Sequence, residues 1–140
     1  MIIKYQSFIN KNLLVIKYEG EFCIEKYKNH IIYFTQQPEW EFIDKVLIDL
    51  RFCELNLKIE DLYKIAEIKK NFIKKKHASA QLVDKPMITA LVHLLKNEFN
   101  SDEIISLEYC STINKLIQLL NLDSNQTEID FILNNLKYTF

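Results

Sequence analysis

A single glycine, Gly20, in 140 residues leaves the chain without any glycine-rich loop. Backbone amides then have no platform on which to cradle a nucleotide phosphate, which disfavours a mononucleotide or dinucleotide enzyme. Cysteine is also scarce: Cys23, Cys53 and Cys110 are odd in number and widely spaced. That is not the framework of a disulfide-stapled secreted domain, and it fits free thiols in a reducing compartment, so the expected location is the cytoplasm. Long apolar runs are missing; stretches such as Leu13 to Ile16 and Val46 to Ile48 fall far short of the ~20 residues of a membrane helix. The opening MIIKYQSF has none of the basic, apolar and small-residue succession of a secretion signal. His30, His77 and His93 stand alone, without a partner at a metal-ligand spacing such as HExxH or CxxC, so neither a metal nor a cofactor is expected. An excess of one charge is absent as well. The formal net charge of -1 gives no overall attraction to nucleic acid or to an anionic membrane.

What is present is ordinary globular material. Hydrophobic residues at 49% and charged residues at 26% place the chain among self-folding proteins, and its length suits one domain with a real core. Residues Ile2 to Ile9 alternate loosely, Asn10 to Asn12 break the run, and Leu13 to Tyr18 follow, which predicts a β-hairpin ahead of Gly20. Cys23, Ile24, Tyr27, Ile31 and Phe34 recur at helical spacing until Pro38 ends the segment. Val46 to Leu50 is apolar on both faces and predicts a central strand. Leu62, Ile65, Ala66, Ile68 or Lys69, Phe72 and Ile73 mark a second helix, acidic early and lysine-rich late, in agreement with the helix dipole.

A short strand is predicted at Ala80 to Val83, a third helix after Pro86, and a strand with one wetter face at Ile104 to Tyr109. Ser111 or Thr112 caps a helix that stops near Asn121. A second capping signal, Thr127 with Asp130 three residues on, predicts a short final helix through Leu136. Together these predict an α/β fold: an N-terminal hairpin, then alternating helices and strands in a mixed, mostly parallel sheet of about five strands, with an extra C-terminal helix.

Three stretches carry a family likeness: KVLIDLR at Lys45 to Arg51, ASAQLVDKPMITAL at Ala78 to Leu91, and LEYCSTINKLIQLL at Leu107 to Leu120. In this order of elements the chain resembles the STAS domain of anti-sigma-factor antagonists and, more distantly, lipid-binding domains of the SEC14 type. The likeness spans residues 1–122 and leaves 123–140 as a helical extension packed on the same domain. It implies a non-enzymatic regulatory or protein-interaction module, and through the SEC14 side a carrier of a small molecule or lipid. One departure matters. Regulatory antagonists keep a phosphorylatable Ser or Thr after the central strand, whereas here the span Arg51 to Glu60, RFCELNLKIE, has no hydroxyl at all. A phosphorylation switch at that place is therefore not expected.

The candidate contact residues are Trp40, Phe42, Arg51, Phe52, Cys53 and Glu54. Arg51 to Glu54 follow the central strand, where open α/β sheets tend to bind ligands. Trp40 and Phe42, between Glu39 and Glu41 in a loop, have the character of interface anchors, or else fold back over the core. Cys53 beside Asp49 raises a thiol enzyme as a further reading, against which Cys53 packs as a small hydrophobe and Asp49 serves the backbone. The run KKNFIKKKH from Lys69 to His77 reads as an anion site or as a solvated helix end. Another protein is the expected partner. The final helix also raises a homodimer, because its apolar stripe must be covered by its own sheet or by a second copy.

Overall fold

The computed structural model describes residues Met1–Phe140, and its buried side chains sort into two clusters on opposite faces of one sheet. Strands β1 (Ile2–Phe8) and β2 (Leu13–Glu21) form the expected antiparallel hairpin. The chain then alternates through α1 (Ile24–Thr35), β3 (Lys45–Glu54), α2 (Ile59–Phe72), β4 (His77–Leu82), α3 (Pro86–Asn97) and β5 (Ile105–Cys110). It finishes with α4 (Ile113–Leu120), α5 (Gln126–Asn134) and β6 (Tyr138–Thr139). The sheet order is β5-β4-β3-β2-β1-β6, with β2 to β5 mutually parallel and β1 antiparallel to both of its neighbours.

The hydrophobic pattern explains the layers. On β3, Val46, Ile48 and Leu50 point to the face covered by α1, α2 and α3, while Leu47 points to the face covered by α4 and α5. A strand buried on both sides has to be apolar at every position, which is why this stretch stands out in the sequence. The parallel strands lie side by side in chain order, and their three crossover helices share one face. With no reversal of direction among them, this sheet lacks the crevice that opens where a doubly wound sheet changes direction.

Backbone turns show how a chain with one glycine manages. Gly20 takes a left-handed φ of 81° at the end of β2, and asparagine takes the other two positive-φ positions, Asn12 in the hairpin turn and Asn121 at the end of α4. Asparagine tolerates that conformation better than other residues with a side chain.

Several boundaries move. β3 runs four residues beyond Leu50, and β4 begins at His77 rather than Ala80. The cap of α5 is Asn125, whose side chain accepts the Glu128 N–H at 2.9 Å, so Thr127 already lies inside the helix. The chain ends in a strand and not a helix. β6 pairs with the free edge of β1, and the Phe140 N–H donates to the Ile3 carbonyl at 2.8 Å, making six strands instead of about five. Ile129 and Leu133 of α5 are buried with Leu13, Val15 and Leu47 on the second face of the sheet, while Phe140 packs on the first. No helix is long and apolar enough to cross a membrane.

Candidate functional site

β3 continues past its apolar run because a register shift between Lys17 and Glu19 in β2 lets the ladder resume as Glu19 with Phe52 and Gly20 with Cys53. Asp49 is fully buried on this strand. Its carboxylate accepts the Arg51 backbone N–H at 3.1 Å and two guanidinium N–H groups at 2.9 Å each. This fork fixes the arginine, and the hydrogen bonding that it donates to Asp49 raises the Arg51 guanidinium above its usual value. The Phe52 ring, 55% exposed, lies beneath the Lys17 ammonium at 4.3 Å and within 5.7 Å of the Arg51 guanidinium. The two cations beside it restrict the freedom of this exposed ring. Ile59 opens α2 and Met87 is the second residue of α3, and both are exposed at this same end of the sheet. Glu54 is exposed at the strand end, and the Phe22 N–H donates to its carbonyl at 2.9 Å.

Cys53 belongs to the other face of the strand, fully buried against the core. Burial pushes its thiol up to about 11, so at neutral pH it is a protonated thiol packed as a small hydrophobe. No three His, Cys, Asp or Glu side chains form a group that could hold a metal ion.

Trp40 and Phe42 sit in the 3₁₀ turn Pro38–Phe42, ahead of β3. The length of that ten-residue strand puts them roughly 30 Å from Phe52. Trp40 does not protrude. It is 9% exposed, packed on Phe34 at 5.2 Å and on His77 at 5.8 Å, because a loop aromatic gains more by closing the core edge than by facing water. Phe42, half exposed, is the side chain that stands out from this turn. The six sequence candidates thus divide between two ends of the sheet, and two of them, Trp40 and Cys53, are interior.

The basic run is not simply a solvated helix end. Lys75 leaves α2 to donate to the carbonyls of Trp40, at 2.7 Å, Glu41, at 2.6 Å, and Ile43, and so fastens the 3₁₀ turn. His77 is buried at the start of β4, where desolvation lowers it to about 4 and keeps it neutral. His93 is exposed and hydrogen-bonded through Nδ1 to the Tyr109 hydroxyl at 2.8 Å. Lys69 points inward.

That inward lysine belongs to a feature absent from the sequence reading, a cavity between the sheet and helices α1, α2 and α3. Its volume is about 40 Å³, counted as space for the centres of water-sized spheres, and its walls are mostly apolar, Leu50, Leu57, Ile65 and Val92 among them. Four side chains with polar atoms also line it: Tyr18 from β2, Tyr27 from α1, Lys69 from α2 and Gln81 from β4. Lys69 is 4% exposed and has neither an ion pair nor a hydrogen bond; its ammonium lies 6.0 Å from the centre of the Tyr27 ring. Tyr27 Oη and Gln81 Nε2 also lack hydrogen-bond partners. A signal existed for Lys69, which falls seven residues after Leu62 on the buried stripe of α2.

Compared with known proteins, the sequence matches no family model and no curated protein. Among solved structures the fold is similar to that of the anti-sigma factor antagonist SpoIIAA in its unphosphorylated form. The likeness has a TM-score of 0.46 and 11% sequence identity, over 83% of this chain and 94% of that one.

Proposed function

We propose that the chain is a non-enzymatic regulatory or protein-interaction module that docks another protein on the end of the sheet around Phe52. The observation that carries this reading is the exposed Phe52 ring fixed between Lys17 and Arg51, with Arg51 itself locked by Asp49. Aromatic and arginine side chains with little conformational freedom to lose are the usual energetic centres of protein interfaces. Lys17, Arg51 and Lys85, whose ammonium donates to the Arg51 carbonyl, each have an acid beside them, Glu19 at 3.4 Å, Asp49 at 2.9 Å and Asp84 at 4.0 Å. The surface therefore favours a partner that offers an apolar pocket with a polar rim over one of strong single-sign charge. With no hydroxyl between Arg51 and Glu60, docking at this surface is not switched by phosphorylation of that span. A cytoplasmic setting belongs to the same reading.

The cavity beneath α2 does not itself support the lipid side of the carrier reading. A cavity of about 40 Å³ has room for about three waters, which is too little for an acyl chain. Purification of the tagged full chain from its host, with Phe52→Ala and Phe42→Ala alongside, tests the proposal. The expected result is a protein partner retained by Phe42→Ala and lost by Phe52→Ala. A partnerless chain, or a partner retained equally by both variants, contradicts it.

A further inference from the structure

The cavity beneath α2 departs from the rest of the core in the character of its polar groups. An isolated ammonium is expensive to bury, and proteins keep one in an apolar interior only when something offsets the cost. Here Lys69 has no carboxylate to pair with, and none of the cavity's walls is acidic. Among the other polar walls, Tyr18, Tyr27 and Gln81, the Tyr27 Oη and Gln81 Nε2 are unpartnered hydrogen-bond donors. One cation and two neutral donors facing the same space form a receptor for an acceptor with a single negative charge. A dianion such as phosphate would require a second cation that the cavity lacks. The remaining walls are hydrocarbon and aromatic, so the anion should carry an apolar substituent. About 40 Å³ for sphere centres corresponds to about three waters, the bulk of a carboxylate with about two to four carbons.

We infer that this cavity is a binding site for a small aliphatic monocarboxylate, its oxygens held by Lys69, Tyr27 and Gln81 and its hydrocarbon against Leu50, Ile65 and Val92. The inference stands apart from the docking surface and survives its failure. The two nonetheless share the connection after β3, because Leu55 and Leu57 line the cavity while Phe52 and Glu54 face outward.

The pH dependence isolates the lysine. Burial lowers the Lys69 ammonium to about 8. The other titratable groups around it are Tyr18 on β2 and Tyr27 on α1, both held well above the ordinary phenol range by burial, and His77 on β4, held neutral down to about 4. None of these changes charge between pH 7 and 9, so a loss of affinity across that interval reports Lys69.

The test is a titration of the ¹⁵N-labelled full chain with propionate, followed by amide and side-chain chemical shifts. The expected result is saturation with a dissociation constant below about 5 mM, perturbation of the Gln81 side-chain amide, and affinity weaker at pH 9 than at pH 7 by between about fivefold and tenfold, tenfold being the limit that a group titrating at about 8 can give. Two variants should lose at least tenfold at pH 7: Lys69→Met, which removes an unpaired buried charge and so keeps the fold, and Gln81→Leu. 1-Propanol, of the same size without the charge, should bind at least tenfold more weakly, and octanoate no more tightly than butyrate. Absence of saturation up to about 50 mM propionate, or equal binding of propionate and 1-propanol, or unchanged affinity in Lys69→Met, overturns the site. Affinity that keeps rising to octanoate overturns the small-ligand assignment in favour of a fatty acid.

Discussion

At the scale of single residues, burial gives Lys69, Cys53 and Trp40 roles that their chemical type alone does not reveal. Lysine in a basic run, cysteine beside an acid and tryptophan in a loop each have a reactive or exposed reading and an interior one, and the fold places all three inside. Lys69 was legible in part, because it continues the helical stripe of Leu62, Ile65 and Ala66. Gln81 was not, since nothing local distinguishes an orphaned amide from one paired across the sheet. The stability consequence follows from the ammonium. In the folded chain Lys69 titrates near 8 instead of its ordinary 10.5, so between those values the unfolded chain binds more protons and stability rises with pH. Below pH 8 the full cost of burying the charge is present. Lys69→Met should therefore raise stability at pH 7 by about 3 kcal/mol, an advantage that shrinks towards zero as pH approaches 10.5. Urea unfolding of both chains at pH 7 and pH 10 measures this; a variant less stable at pH 7 would show that the ammonium is compensated.

At the scale of elements, what the sequence conveyed best was periodicity. β3 is apolar on both faces because it is covered on both, and α1 through α4 each carry a stripe that finds the sheet. The elements it conveyed poorly owe their existence to distant partners. β6 has two exposed residues and no pattern of its own, and it forms because β1 offers a free edge. The outer end of β3 depends on a register shift in β2, and that end is where the candidate surface stands. α5 was visible by spacing and was expected on the same domain, while its cover, its own sheet or a second copy, was not decided by the sequence. Ile129 is fully buried there, beneath the second layer. Ile129→Ala should cost about 3 kcal/mol in urea unfolding, by lost burial plus the cavity left behind. A loss below about 0.5 kcal/mol would mean that α5 contributes little to closing that face.

At the scale of the whole molecule, two buried imidazoles make the fold sensitive to acid. His30 is surrounded by the rings of Tyr5, Tyr33, Phe34 and Phe140, with neither ring nitrogen hydrogen-bonded, and burial lowers it from 6.5 to about 4. Burial also lowers His77 to about 4. Both are neutral when folded, so their contribution is complete above pH 6.5 and is lost as pH falls through the interval to 4. Each is worth about 3 kcal/mol, a sum comparable with the whole stability of a small domain. The chain should lose most of its stability between pH 6.5 and pH 4, and His30→Phe should recover about half of that loss, as read by circular dichroism across urea gradients. Equal stability at pH 7 and pH 4 would contradict this.

The same molecule presents the exposed Phe52 ring at one end of the sheet, beside Lys17 and Arg51. Titration calorimetry of the co-purified partner against Phe52→Ala and Phe42→Ala, each first shown to unfold like the parent chain, bears most directly on that claim. A loss of about tenfold or more for Phe52→Ala, with Phe42→Ala within about twofold of the parent, is the predicted result. Parent-like affinity in Phe52→Ala would contradict it.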